Sequence, residues 1–587
     1  MDIIMYKKAL DFISKLYGNR GDIDYIGKIP SKTERPSCAP ILYPFERATP
    51  ESVGISGERM LSFLCELSER TELHPHSLMI AKDDKIILEC EFYPYRADIW
   101  HVSHSLCKSI TAIAVGLMID DGIMKLDDKI TDIFSKRAFS FDFVRQKDIT
   151  VRHLLTMSAG VAFNELGSVT YEDWAEGFFS AGVKFAPGTQ FLYNSMNSYM
   201  LSAAIKELTG RDMFDILTER VFATMGITEV YWEKCPRGIT KGGWGLYMKI
   251  EDLMKFGKLF LDAGMWQGKR IVSEEWLHEA SAKQIESSPA MNDHGYGYHI
   301  WRSIRKDSYQ FNGMLGQNLI IFPDIRMVIA TYCGNTEFFP KSDYVALIGK
   351  YFGDGFAPGM PLKFSRKTAS VLSAVRKSLS LPPIMRRTER YRNLGALSVI
   401  LGKSYAVDTQ NTSLLPVTLC VMHNNFPSGI KKISFRPDGN VVTARFEKEA
   451  ETVAIPFAAD GTALYFDFTE NGETFSAAAI GRMTKNEDDI PVLKLSIYFL
   501  ETTSVRHIKF FFRNRKITVR FTEEPGGSEL FEGFRPMLEE FTSKNRAIKL
   551  LMSKTDGGLL EYNLEKLFSP EYTTAEIEAV SSRCDSL

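Results

Sequence analysis

The pattern of apolar and polar positions divides the chain into two halves of different texture. In the first half, apolar residues recur at helical spacing over 60–69. Ser77-Leu-Met-Ile-Ala-Lys-Asp-Asp-Lys-Ile-Ile-Leu-Glu-Cys90 then reads as a hairpin, two apolar runs about a polar turn. Ile110, Ile113 and Leu117 mark a helix with Gly122 as its stop. Helical pieces follow over 126–134, 149–157, 199–208, 252–261 and 273–281, and the stretches 296–301, 319–322 and 327–332 alternate or cluster as strands do. A hairpin in front, helices in the middle and strands at the end predict an α+β fold whose sheet draws on both ends of this half.

From about Ser413 the text becomes strand after strand. The runs 415–421, 433–435, 441–446, 463–468, 492–499, 507–512 and 517–521 are separated by Asp-Gly or Asn-Gly turns and polar breaks. That spacing predicts an all-β sandwich or barrel. Helical spacing returns over 537–551 and 575–580, and at the other end Tyr6, Leu10, Ile13 and Tyr17 predict a helix docked on the body, a membrane-surface helix being the alternative. Between the halves, 355–395 carries Pro358, Pro361, Pro382 and Pro383 among nine cations. It reads as a solvated basic connector with one short helix near 369–378, contact with an anionic surface being the alternative. The expected organisation is therefore 1–45 as lead-in, 46–355 as the α+β domain, 356–400 as connector and 401–587 as the β-rich domain.

Composition changes this picture little. A chain of 587 residues is too long for one core, which agrees with a division into domains. A formal charge of −2 gives no footing for a nucleic-acid partner. No apolar run is long enough to span a bilayer, and the N-terminal charges lack the apolar core of a signal peptide. The eight cysteines show no paired spacing, so a reducing cytoplasm is expected. His101 and His104 find no third ligand, so neither a metal nor a cofactor is expected.

The chemistry concentrates in His101-Val-Ser-His-Ser105-Leu-Cys-Lys108 at the head of the apolar helix. Positions three apart share a helical face, which sets the Lys108 amine beside the Ser105 hydroxyl. A serine attacks only once a base takes its proton, and burial of the amine favours the neutral form able to do so. Two further Ser-x-x-Lys matches, at Ser303 and Ser428, open no apolar helix and read as chance. Cys107, inside the motif, reads as a packing residue.

Residues from about Thr49 to Asn335 resemble the β-lactamase-related serine hydrolases: class C β-lactamases, DD-peptidases, related esterases and an aminohexanoate-oligomer hydrolase. The resemblance rests on Thr49-Pro-Glu-Ser-Val-Gly-Ile-Ser56, Ser105-Leu-Cys-Lys108-Ser-Ile-Thr111, Ile149-Thr-Val-Arg-His-Leu-Leu-Thr-Met157, Gly242-Gly-Trp-Gly-Leu-Tyr247 and Tyr296-Gly-Tyr298, all in family order. It implies an antiparallel sheet with a helical lobe and the active site between them. It also implies a Tyr-x-Asn motif, matched by Tyr193-Asn194-Ser195, with the tyrosine sharing the proton work, held partly as phenolate beside the ammonium. Ser195 stands where the family has Asn, and Asn197 is the candidate substitute.

The third family motif finds its best match in Phe311-Asn312-Gly313, followed by Met314, whose amide would join that of Ser105 in an oxyanion hole. The family's basic residue is replaced by Phe311, read as an apolar wall of the pocket. The expected protein is a cytoplasmic serine hydrolase of a small ester or amide, working through an acyl-enzyme. A penicillin-binding or peptidoglycan-peptide hydrolase, and a catalytically degraded binding protein of the same fold, are the alternatives.

Overall fold

The computed structural model describes residues 29–136, 146–168, 171–383, 396–408, 412–458, 460–526 and 571–577. The helices expected over 6–17 and 537–551 lie outside them.

The first domain is built on a central sheet. Its strands are β1 (Pro75–Lys82), β2 (Lys85–Glu91), β3 (Tyr309–Gly313), β4 (Gln317–Phe322) and β5 (Met327–Cys333), in the order β2-β1-β5-β4-β3, all antiparallel. Trp301–Arg302 extends the β3 edge, while Glu46–Arg47 joins β2 in parallel, so the sheet is mixed rather than purely antiparallel. Of the strand expected over 296–301, only its end, Trp301, is in the ladder. Both faces are covered, which is why the strands read as unbroken apolar runs. Leu78, Ile80, Ile320 and Ile329 face helices α1 (Gly57–Glu69) and α5 (Asp343–Phe352). Met79, Leu319, Ile321 and Ala330 face the opposite core.

That second core holds α2 (Cys107–Asp120), α3 (Ser195–Thr209) and α4 (Ile250–Leu261). Every residue of α2 from Cys107 to Met118 is buried. A helix apolar all round belongs in the middle of a domain, and α2 lies there, between the sheet and the helical lobe. Within the connector, α6 (Arg366–Leu379) lies along the domain's outer side: Leu372 is buried beside α1, Arg376 pairs with Glu89 at 3.3 Å, and the Leu379 carbonyl accepts from the Tyr93 amide.

The second domain is a barrel. Strands Thr452–Ala458, Val441–Glu447, Lys432–Asp438, Ser404–Val407, Glu571–Ile577, Lys516–Glu524, Val505–Arg513, Pro491–Phe499 and Glu473–Lys485 follow one another around it, and Ala458 pairs with Ile480 to close the ring. A tenth strand, Leu464–Glu470, hangs on Glu473–Lys485. Alternate residues point inward and meet as a core rich in phenylalanine, including Phe435, Phe446, Phe457, Phe475, Phe499 and Phe510. Two expectations are corrected here. The run 415–421 is not a strand; Val417–His423 is a helix (α7). Residues 575–577, expected as helix, belong to a barrel strand paired on both sides.

The two domains are joined through buried charge. The Lys32 ammonium meets the Glu501 carboxylate at 3.1 Å, each side chain 1% exposed. The same carboxylate accepts from the Trp100 indole and the Ser476 amide. Removing one partner of such a pair leaves an uncompensated buried charge and costs about 3–5 kcal/mol, whereas an apolar replacement of both is nearly neutral. Glu501→Ala is accordingly expected to lower unfolding free energy by that amount in denaturant titration. Lys32→Met combined with Glu501→Leu should recover most of it; equal losses in the single and double variants would refute the pairing as the source.

Candidate active site

Ser105 sits in a one-turn 3-10 helix, His104–Leu106, that runs into α2. The Lys108 ammonium donates to the Ser105 hydroxyl at 2.8 Å and to the Gly243 carbonyl at 2.6 Å. Lys108 is 1% exposed and has no ion pair among the described residues, so burial works against its charge and draws its pKa down to about 8. Glu165 opposes that shift from a distance. The loop Gly242–Gly245 reaches Lys108 only because it is glycine-rich: a Cβ on Gly243 would stand 2.8 Å from the Ser195 carbonyl.

Tyr193 completes the cluster. Its hydroxyl hydrogen-bonds with the Ser105 side chain, and its ring lies 5.1 Å from the Lys108 nitrogen. Burial pushes the phenol well above its ordinary value, the hydrogen bond from Ser105 opposing only in part. The direction of that shift runs against the expected phenolate character. Around it stands an aromatic wall. Trp301 stacks on the ring at 5.7 Å and 21°, Phe339 meets it edge-on, and Phe191, Tyr296, Leu315 and part of Met314 fill out the same cluster.

The remaining expected residues divide. Asn194 caps α3, its oxygen accepting from the Met196 amide and its nitrogen donating to the Val161 and Phe163 carbonyls. Ser195 is buried and its amide donates to Glu165 at 2.8 Å. Asn197, in the first turn of α3, points its amide nitrogen at the Met157 sulfur, and its buried oxygen has no hydrogen-bond partner among the described residues. Gly313 abuts the turn that carries Ser105: a Cβ there would lie 2.3 Å from the Ser103 carbonyl and 3.0 Å from the Leu106 nitrogen. This close approach brings the end of β3 against the turn that carries Ser105.

Phe311 and Asn312 depart from the expectation. Phe311 is fully buried and packs edge-on against Phe260 of α4 at 5.2 Å, so it offers no wall to a substrate. Asn312 is tied across the sheet to Asn318 at 2.8 Å, which spends its amide within the fold.

Several site residues escaped the sequence. Glu165, Trp301 and Phe339 belong to no expected motif, although Gly242-Gly-Trp-Gly was part of the resemblance and does place Gly243 on Lys108. The second domain also borders the site. Thr503 lies 3.4 Å from the His104 imidazole, next to Ser105. Lys241, just before the glycine loop, is fully buried, pairs with Glu233 and donates to the Met422 carbonyl of α7. His423 of α7 joins Tyr247 at 3.1 Å and Glu473 at 2.6 Å, and lies 3.5 Å from Glu233. No group of side chains among the described residues could hold a metal ion.

Part of the chain is similar to known proteins. A family model described as beta-lactamase matches residues 66–345. An uncharacterized protein of Alkalihalophilus pseudofirmus is 27% identical over 43% of this chain and 79% of its own length. The 6-aminohexanoate-dimer hydrolase of Paenarthrobacter ureafaciens is 22% identical over 42% of this chain and 67% of its own. Among solved structures, the octameric penicillin-binding protein homologue of Pyrococcus abyssi, 16% identical, covers 79% of this chain and 98% of itself with a TM-score of 0.40. Residues 66–345 therefore form a domain of the beta-lactamase family, the fold of serine hydrolases that include esterases, amidases and penicillin-binding protein relatives.

Proposed function

We propose that the protein hydrolyses small, neutral esters or amides through an acyl-enzyme on Ser105. The observation that carries this reading is the 2.8 Å contact between the Ser105 hydroxyl and a buried lysine held without a carboxylate. Neutral Lys108 takes the hydroxyl proton as the oxygen attacks the acyl carbon. The amides of Ser105 and Met314 meet the negative charge that develops on the carbonyl oxygen. Tyr193, hydrogen-bonded to the same hydroxyl, passes a proton toward the leaving group, which departs as an alcohol or amine. Water then releases the acid from the serine by the same route.

The aromatic wall of Trp301, Phe339 and Phe191 supports an apolar acyl or leaving group. The preference for neutral substrates follows from the missing cation of the third motif. The three arginines closest to that motif in sequence are engaged elsewhere: Arg305 is bound to Asp324, Arg326 to Asp262 at 2.7 Å, and Arg302 to the Ser281 carbonyl at 2.8 Å.

Three outcomes are expected. Brief exposure to an activated ester should add the acyl mass to the peptide holding Ser105, seen by mass spectrometry. Ser105→Ala should abolish the adduct, and Tyr193→Phe should slow turnover on the order of 10²–10⁴-fold. An adduct that survives Ser105→Ala would assign the nucleophile elsewhere.

Lys108 gives a sign to the pH dependence. Only its neutral form is a base, so kcat/KM should rise about tenfold per pH unit below about 8 and level off above it. The folded pKa lies below the unfolded value of 10.5, so the buried amine costs stability fully below pH 8, and that cost fades as pH rises toward 10.5. The shift corresponds to a cost on the order of 3 kcal/mol at neutral pH. Lys108→Met is therefore expected to be inactive yet no less stable than wild type. Thermal melts at pH 7 and a pH–rate profile check both halves, and a destabilised variant would show Lys108 to be a structural residue.

Size-matched neutral and anionic esters should differ by roughly tenfold or more in kcat/KM, about 1.4 kcal/mol, in favour of the neutral one. A bare carboxylate entering this wall finds no cation to replace its hydration. Steady-state kinetics with both substrates decides it; equal rates would mean that a cation reaches the pocket.

A further inference from the structure

Away from the site, one surface combines two properties that rarely coincide on a soluble domain. Met360, Leu362 and Phe364 alternate along an extended segment and are all exposed, Met360 to 82% and Phe364 to 48%. In α6, directly after it, Leu372 turns inward against α1, while Lys367, Ser370, Val371, Ala374 and Lys377 recur on the opposite, exposed side at the helical period, continued by Leu381. Exposed apolar side chains therefore follow one another closely along the chain, from Met360 through Val371 to Leu381.

The charge of this strip has one sign. Between Asp354 and Glu389 the sequence contains no acidic residue, and it carries seven cations. Arg376 pairs inward with Glu89. Lys363, Arg366, Lys367 and Lys377 are exposed, and none of them forms an ion pair with the described residues. Apolar side chains standing among cations without counter-charges are the composition of a segment that lies in the interface of an anionic bilayer. The cations meet the headgroups and the apolar groups enter the acyl boundary. A second copy of the same strip would bring like charges together, which disfavours self-association through it.

We propose that the strip formed by 360–364 and the outer face of α6 docks this protein onto an anionic membrane surface. The occupant is the lipid interface itself, and binding is peripheral and reversible.

The full-length protein should co-sediment with vesicles of phosphatidylcholine and phosphatidylglycerol at 7:3, at least tenfold more strongly than with pure phosphatidylcholine. Raising the salt from about 0.1 M to 0.5 M should release it. Two variants separate the contributions. Met360→Ser with Leu362→Ser and Phe364→Ser keeps every charge, and Lys363→Glu with Arg366→Glu and Lys367→Glu keeps every apolar group; each should weaken binding tenfold or more. None of these residues touches Ser105, Lys108 or Tyr193, so ester hydrolysis in solution should be unchanged in both. Absence of binding to anionic vesicles overturns the proposal, and so does binding that neither variant reduces. Concentration-dependent dimerisation in sedimentation velocity that is lost in the serine variant would assign the strip to a second copy instead, and likewise overturn it.

Discussion

The arrangement depends on a buried amine with nothing to neutralise it. A lysine inside a protein normally meets a carboxylate, as Lys32 meets Glu501 and Lys448 meets Glu470 elsewhere in this chain. Lys108 instead meets a hydroxyl and a main-chain carbonyl, both neutral. Each surrounding element can be understood by that difference. The apolar helix α2 supplies the dry environment, the glycine loop supplies a carbonyl where a side chain would not fit, and the edge of the sheet closes on the nucleophile turn through Gly313. The Lys32–Glu501 pair ties the barrel to the rest of the chain, whereas Lys108 has no ion pair among the described residues.

The barrel is part of this support. Its helix α7 and its Leu500–Ser504 turn reach the residues on either side of the cluster: His104 beside the nucleophile, and Lys241 beside the glycine loop. Lys241 and Glu233 are buried against each other, and α7 adds a carbonyl to one and a histidine near the other. The positions of Gly242 and Gly243 thus rest on contacts from the second domain, although no barrel residue touches the serine–lysine pair among the described contacts.

Much of this was legible in the sequence, and what escaped did so for physical reasons. Periodicity located the hairpin, the nucleophile helix and most barrel strands, because each has one dominant period. It failed where local preference and tertiary pairing disagree. The run 415–421 is rich in strand-forming residues, yet Pro416 leads it into a helix that covers the barrel. Residues 575–577, with Ala-Glu-Ile, favour a helix alone but are captured as a strand by neighbours on both sides. Strand Thr452–Ala458 was hidden by Pro456, and Glu473–Lys485 by its run of alanines. Ser105 and Lys108 were singled out by their spacing and Tyr193 by the family resemblance, and the fold brings the three together. Phe311 was misread because alternation along a strand says which face it takes, not that Phe260 waits there to cover it.

The order of the barrel strands has a consequence for how the protein comes into being. The strand Ser404–Val407, early in the second domain, finds one of its two partners only in Glu571–Ile577, and Asp408 bonds to Thr574 across a separation of 166 positions. During synthesis the ring stays open until that distant strand has emerged, while the serine and lysine have been outside the ribosome for several hundred residues. Closure of such non-local contacts is slow and comes late in folding. The groups that steady His104 and Lys241 arrive with the barrel, so the serine and lysine are made early and the frame around them last.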